Sequence, residues 1–137
     1  MIKTMGVQPF IFDDQSPYLF LLSISDVINY FDLDIITDRE HVFLDREDCD
    51  LNAPFDGSLR EKQYFVNGIL ITGLFELLSN ESFAQIEDRF ETFIDTLKSI
   101  IQRRLVSEAI SSTHEVFVHD DEDNGDVVIG FRAISKV

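Results

Sequence analysis

The residues best equipped for chemistry lie in "HDDEDNGD", His119 to Asp126, where five carboxylates share eight positions. Read as a calcium loop, Asp120, Glu122 and Asn124 take the first, third and fifth places of a D-x-[DN]-x-[DN]-G pattern, and Gly125 takes the sixth. The twelfth place, where a bidentate Glu closes the ligand shell, holds Phe131, and Glu122 is bulky for the third place. The flanking segments, "EVFVH" and "DVVIGF", predict strands, whereas such a loop sits between helices. A turn is the favoured reading: Asn124-Gly125 supplies positive φ, and the acids are solvated or face a cationic partner.

His41, His114 and His119 are the other candidates for metal or acid-base work. Their spacing fits no H-x-x-x-H or Cys/His pattern, and the odd separation of His114 and His119 puts them on opposite faces of a strand. The single cysteine, Cys49, excludes an intrachain disulfide, and its acidic neighbours in "REDCDL" disfavour a thiolate. No glycine-rich phosphate loop and no basic stripe is present. The expectation is no catalytic residue, no metal, no cofactor and no direct nucleic-acid contact.

The elements that must carry these residues follow from composition and periodicity. A chain of 137 residues with 45% hydrophobic content, mean hydropathy +0.01, thirteen Phe and no Trp can bury one core, so 1–137 reads as a single globular domain. The longest apolar run, 65–78, is broken by Asn67, two glycines and Glu76 and is too short to cross a bilayer. The start, "MIKTMGVQPFIFDDQ", lacks the apolar core of a secretory leader, so a cytoplasmic protein without membrane contact is expected.

The fold class expected is α+β: a small antiparallel sheet with a C-terminal β-hairpin, packed against two helices. The longer helix, about 82–110, is amphipathic: Phe83, Ile86, Phe90, Phe93, Ile94, Leu97, Ile100, Ile101 and Leu105 recur at three- and four-residue spacing, behind a Ser82/Gln85 capping box. Glu87, Glu91 and Asp95 form a stripe on its outer face, which reads as solvated. A second apolar helix is expected over about 58–79, capped by Ser58 and Glu61 and buried through Val66, Ile69, Leu70, Leu74 and Leu77. Asn67-Gly68 is also a hairpin signal, so 64–71 stays open between helix and hairpin. "HVFL", 41–44, predicts a strand. "YLFLLSI", 18–24, reads as a buried strand, with Ser25 or Asp26 capping a short helix through "VINYF".

Charge is distributed unevenly. The net charge is −15, of which residues 26–56 carry −8 and residues 115–126 carry −6, while 57–110 carries only −2. Crowded like charges repel within a Debye length of about 8 Å, a cost that a basic partner would relieve. The acids of the two clusters, Asp45, Glu47, Asp48 and Asp50 in one and Asp120, Asp121, Glu122 and Asp123 in the other, are the candidate contacts for a basic protein partner. Phe43, Phe55 and Phe117 are candidate aromatic anchors beside them.

Through "DREDCD" and "HDDEDNGD", and through its small, acidic, Phe-rich character over the whole chain, the sequence resembles the immunity proteins of interbacterial toxin systems, such as those of contact-dependent growth inhibition. Many of their toxins are basic nucleases. The resemblance implies a non-enzymatic protein whose carboxylates cover or flank a toxin's cationic active site. Two other functions fit the same composition. One is an acidic adaptor or nucleic-acid mimic that titrates a nucleic-acid-binding protein, which the near-neutral 57–110 segment disfavours. The other is a small enzyme with a His/carboxylate site, which a deep pocket holding His41 or His119 would favour.

Overall fold

The computed structural model describes residues 16–47, 49–71, 89–121 and 126–135, with the backbone alone at 16–20, 22, 23 and 121. The fold is mixed α+β. In chain order it runs α1 (Ser16–Tyr30), β1 (Ile35–Asp38), β2 (His41–Leu44), α2 (Leu59–Asn67), β3 (Ile69–Leu70), α3 (Phe90–Ser107), β4 (His114–Asp121) and β5 (Asp126–Ala133). β1 and β2 form a two-stranded antiparallel sheet, and β3, β5 and β4 form a second antiparallel sheet in that order. Among the described residues no helix is long and apolar enough to cross a membrane.

The C-terminal hairpin forms as its alternation predicts, with His114 opposite Ala133 and Asp121 opposite Asp126. Its two faces are covered differently. Val127, Ile129 and Phe131 turn to one face and join Ile94, Leu97, Ile101 and Leu105 of α3 in the main core. Phe117, and by alternation Val128 and Gly130, turn to the other face, where Tyr64 of α2 stacks on Phe117 at 5.3 Å. The strand predicted at 41–44 is also present, and its partner β1, closed by Arg39 and Glu40 at positive φ, carried no comparable signal.

Three expectations are corrected. The stretch 18–24 is helical: α1 runs from Ser16 to Tyr30, starting with Pro17 in its first turn, where the missing N–H costs nothing. A short apolar run bounded by proline suits a buried strand or a helix equally, and periodicity alone does not separate them. Ser25 caps nothing; its hydroxyl donates back to the Leu21 carbonyl one turn earlier.

The helix expected over 58–79 stops at Asn67, and the alternative hairpin at Asn67-Gly68 does not form either: the chain passes from helix directly into β3. The start is as predicted, with Ser58 Oγ accepting from the Glu61 amide at 3.1 Å and Glu61 Oε1 accepting from the Ser58 amide at 3.4 Å. The end is set by tertiary contacts. Gly68 is extended, Ile69 and Leu70 pair with Ile129 and Val128, and the Arg46 guanidinium donates to the last carbonyls at Val66 (3.3 Å) and Gly68 (2.9 Å). Residues 72–88, including Leu74, Leu77 and the Ser82/Gln85 box, lie outside the described residues.

The long amphipathic helix expected to reach residue 110 ends at Ser107. Ala109, at φ 59°, sends its amide to Val106 O, and the Ile110 amide reaches back to Leu105 O, the two bonds of a Schellman ending. A left-handed alanine gave no warning in the sequence, because that position favours glycine.

Candidate partner-binding face

The acidic residues named from the sequence sit on two separate parts of the fold. Asp45, Glu47 and Asp50 are in the segment leaving β2, and Asp120 and Asp121 close β4. Asp48, Glu122 and Asp123 lie outside the described residues. β2 is tied to the open end of the β4–β5 hairpin, where the Val42 amide donates to His114 Nε2 at 3.1 Å. Asp120 is six residues further along β4, roughly 20 Å at a strand rise of about 3.3 Å. β2 then runs along α2, with Leu44 on Asn67 and Arg46 reaching Gly68 O, so the two clusters leave from separate elements, β2 and β4. Phe131, the twelfth place of the calcium reading, is a core residue and cannot turn back to the acidic loop.

The join between β2 and the hairpin is made by α2. Gln63 and Asn67, one turn apart and both 0% exposed, act as a strand made of side-chain amides. Gln63 donates to Val42 O at 3.0 Å and accepts from the Ala133 amide at 2.8 Å. Asn67 donates to Val42 O at 2.8 Å and Phe131 O at 3.2 Å, and accepts from the Leu44 amide at 2.8 Å. A Cβ at Gly130 would strike the Asn67 backbone, so the close approach of α2 to β5 depends on glycine there.

With its inner face committed to this join, α2 turns Phe65 outward at 65% exposure. The ring is braced, edge to face with Tyr64 (5.2 Å, 87°) and tilted against Phe55 (5.9 Å). Tyr64 in turn meets His119 edge-on at 5.6 Å, besides stacking on Phe117. Phe55 is 38% exposed, and Leu70, just beyond the helix, is 47% exposed. Of the anchors named from sequence, Phe43 and Phe117 are buried and only Phe55 is accessible. Sequence reasoning did not single out Phe65 and assigned Leu70 to the core. The spacing of Gln63 and Asn67 puts them on one face of the helix, opposite Phe65, but only their tertiary hydrogen bonds make that polar face the inner one.

Several bases of this region hold groups of the fold itself, whereas Arg39, lining the cleft with Phe55, is exposed and pairs with Asp38 at 3.2 Å. Lys62 is buried, donates to Leu51 O at 2.6 Å and lies over the Phe43 ring at 5.6 Å. Arg60 donates to Ala133 O at 2.8 Å and pairs with Glu115 at 3.5 Å. Arg104 holds the Phe31 carbonyl at 3.0 Å and the Leu33 carbonyl beyond the end of α1. Arg132 lies over the Phe117 ring at 5.2 Å. Asp45, Glu47, Asp50 and Asp120 are exposed, and none of them makes an ion pair among the described residues.

The histidines divide by environment. His114 is 2% exposed, and because Nε2 accepts from Val42, its proton sits on Nδ1, 2.9 Å from Thr113 Oγ1. Burial first, and the nearby His41 second, lower its pKa. Burial likewise raises the Tyr30 pKa against the pull of Arg46 and Arg104, so its hydroxyl stays protonated and donates to the Asn67 carbonyl. An open cleft of about 610 Å³ is lined by Asp38, Arg39, Phe55, Ser58 and Lys62 among others, and neither His41 nor His119 lines it. Among the described residues no three His, Cys, Asp or Glu side chains converge as a metal site. Comparison of the chain with protein-family models, with curated proteins and with solved structures finds no match.

Proposed function

We propose that this protein is a non-enzymatic binding protein that neutralises a basic protein partner, as an immunity protein occludes a toxin nuclease in the bacterial cytoplasm. The observation that carries the reading is the division of labour between charges. Arg46, Arg60, Lys62 and Arg104 spend donors on backbone carbonyls of the fold, and although Arg39, Arg89, Lys98 and Arg103 are exposed, Asp45, Glu47, Asp50 and Asp120 stand exposed without an ion pair among the described residues, in a chain of net charge −15. Such a surface raises the rate of encounter with a cationic protein and loses that advantage as salt screens it. Neutralisation is then stoichiometric: the acids steer, and apolar contacts set the lifetime of the complex.

The test is co-expression with the product of the adjacent reading frame, followed by calorimetry at low and high salt. A tight 1:1 complex with a basic, toxic product, weakened by salt, is expected. A harmless neighbour that does not bind refutes the pairing.

A further inference from the structure

Resting on that reading of a basic partner, we infer that the outer face of α2 is the docking surface, and that the partner inserts an aliphatic or aromatic side chain flanked by lysine or arginine beside Phe65. Phe65 is the most exposed phenylalanine among the described residues, yet its ring is not loose. Tyr64 and Phe55 hold it on two sides, and Tyr64 is itself fixed by its stack on the buried Phe117. An exposed ring already held in place loses little conformational freedom on binding, the property that makes aromatic side chains effective anchors.

Charge complementarity names the occupant. Glu61 lies one turn before Phe65 on the α2 surface, and the exposed Asp56 follows Phe55. Of the cations nearby, Arg60 is taken by Glu115 and Ala133 O and Lys62 turns into the protein to Leu51 O, while Arg39, which lines the cleft with Phe55, is exposed and pairs with Asp38. A neutral apolar partner would leave these carboxylates unmatched and partly desolvated, whereas cations around its inserted side chain would pair with them.

Two synthetic peptides of equal lysine content, one with a central leucine and one with serine in its place, separate this surface from charge attraction in general. They are titrated into isotope-labelled wild-type protein and into Phe65→Ser, whose urea midpoint verifies that the exposed substitution leaves the fold intact. The leucine peptide is expected to bind about tenfold tighter than the serine peptide, to shift the amides of Tyr64, Phe65 and Leu70, and to lose that advantage in Phe65→Ser. Equal, salt-sensitive binding of both peptides, unaffected by Phe65→Ser, overturns the docking surface while leaving the basic-partner reading standing. Absence of binding by either peptide at low salt overturns both. Self-association of the free protein that Phe65→Ser abolishes assigns the face to a second copy and also overturns the inference.

Discussion

Asn67, at the last turn of α2, hydrogen-bonds both Val42 O and the Leu44 amide, completing from a helix the open edge of a strand more than twenty residues away in sequence. With Phe131 O as its third partner, this side chain uses every bond to join the two sheets. Replacing it by leucine keeps similar volume but leaves buried backbone groups unsatisfied, each costing about 1–3 kcal/mol. Asn67→Leu is expected to lower unfolding free energy by about 3 kcal/mol in urea denaturation at neutral pH. A loss below about 0.5 kcal/mol would show that the amide join is dispensable.

His114 gives the fold an acid sensitivity whose direction is fixed. Its folded pKa lies below the ordinary 6.5, through burial and then the proximity of His41. Above about pH 6.5 the imidazole is neutral in both folded and unfolded chains, and its contribution to stability is fully present. As pH falls below that value the unfolded chain takes up the proton first, so stability declines until the lowered folded pKa is passed. Protonation would also remove the Nε2 acceptor used by the Val42 amide. His114→Gln, which retains an acceptor without a titrating group, should flatten the dependence of the urea midpoint on pH as pH falls below about 6.5. An unchanged slope would assign the acid loss to the carboxylates instead.

Among the described residues, three non-glycine residues hold left-handed backbone: Arg39 (φ 48°), Glu40 (φ 69°) and Ala109 (φ 59°). The first two form the β1–β2 turn, where asparagine and glycine are preferred, and the third ends α3. Arg39→Asn with Glu40→Gly, and Ala109→Gly separately, should each raise stability by roughly 0.5–1 kcal/mol, because relief of strain exceeds the entropy gained by the unfolded chain. Thermal unfolding measures it. A fall in Tm for Ala109→Gly would mean that its methyl group stabilises more than the left-handed backbone costs.

The hairpin acids are expected to act on the rate of association with a basic partner. Converting Asp120, Asp121 and Asp123 to Asn should slow association several-fold at low salt and flatten its salt dependence, with little change in dissociation. Stopped-flow or surface-binding kinetics with the partner identified by co-expression measures both rates. Unchanged kinetics would remove the hairpin turn from the contact surface and leave the Asp45 to Asp50 segment as the steering cluster.

Elements whose signals are local were legible in the sequence. The Ser58/Glu61 capping box, the strand at 41–44, the C-terminal hairpin and the buried stripe Ile94, Leu97, Ile101, Leu105 each draw on residues within a turn or a strand pair. The uneven charge is likewise a property of composition alone. Tertiary structure decided where α2 stops. Asn67 and Gly68 are a turn signal locally, but bonds from Asn67 to β2 and β5 hold it in the helix, and pairing with β5 then draws Ile69 and Leu70 into a strand. The same contacts decided the face of the candidate site. Once Gln63 and Asn67 are buried as joining amides, helical geometry leaves Phe65 facing solvent, and no apolar pattern in the sequence could reveal that a polar face would be the inner one. The two acidic clusters are adjacent in neither sequence nor element order; the bond between Val42 and His114, which ties the strand preceding one to the hairpin that carries the other, exists only in three dimensions.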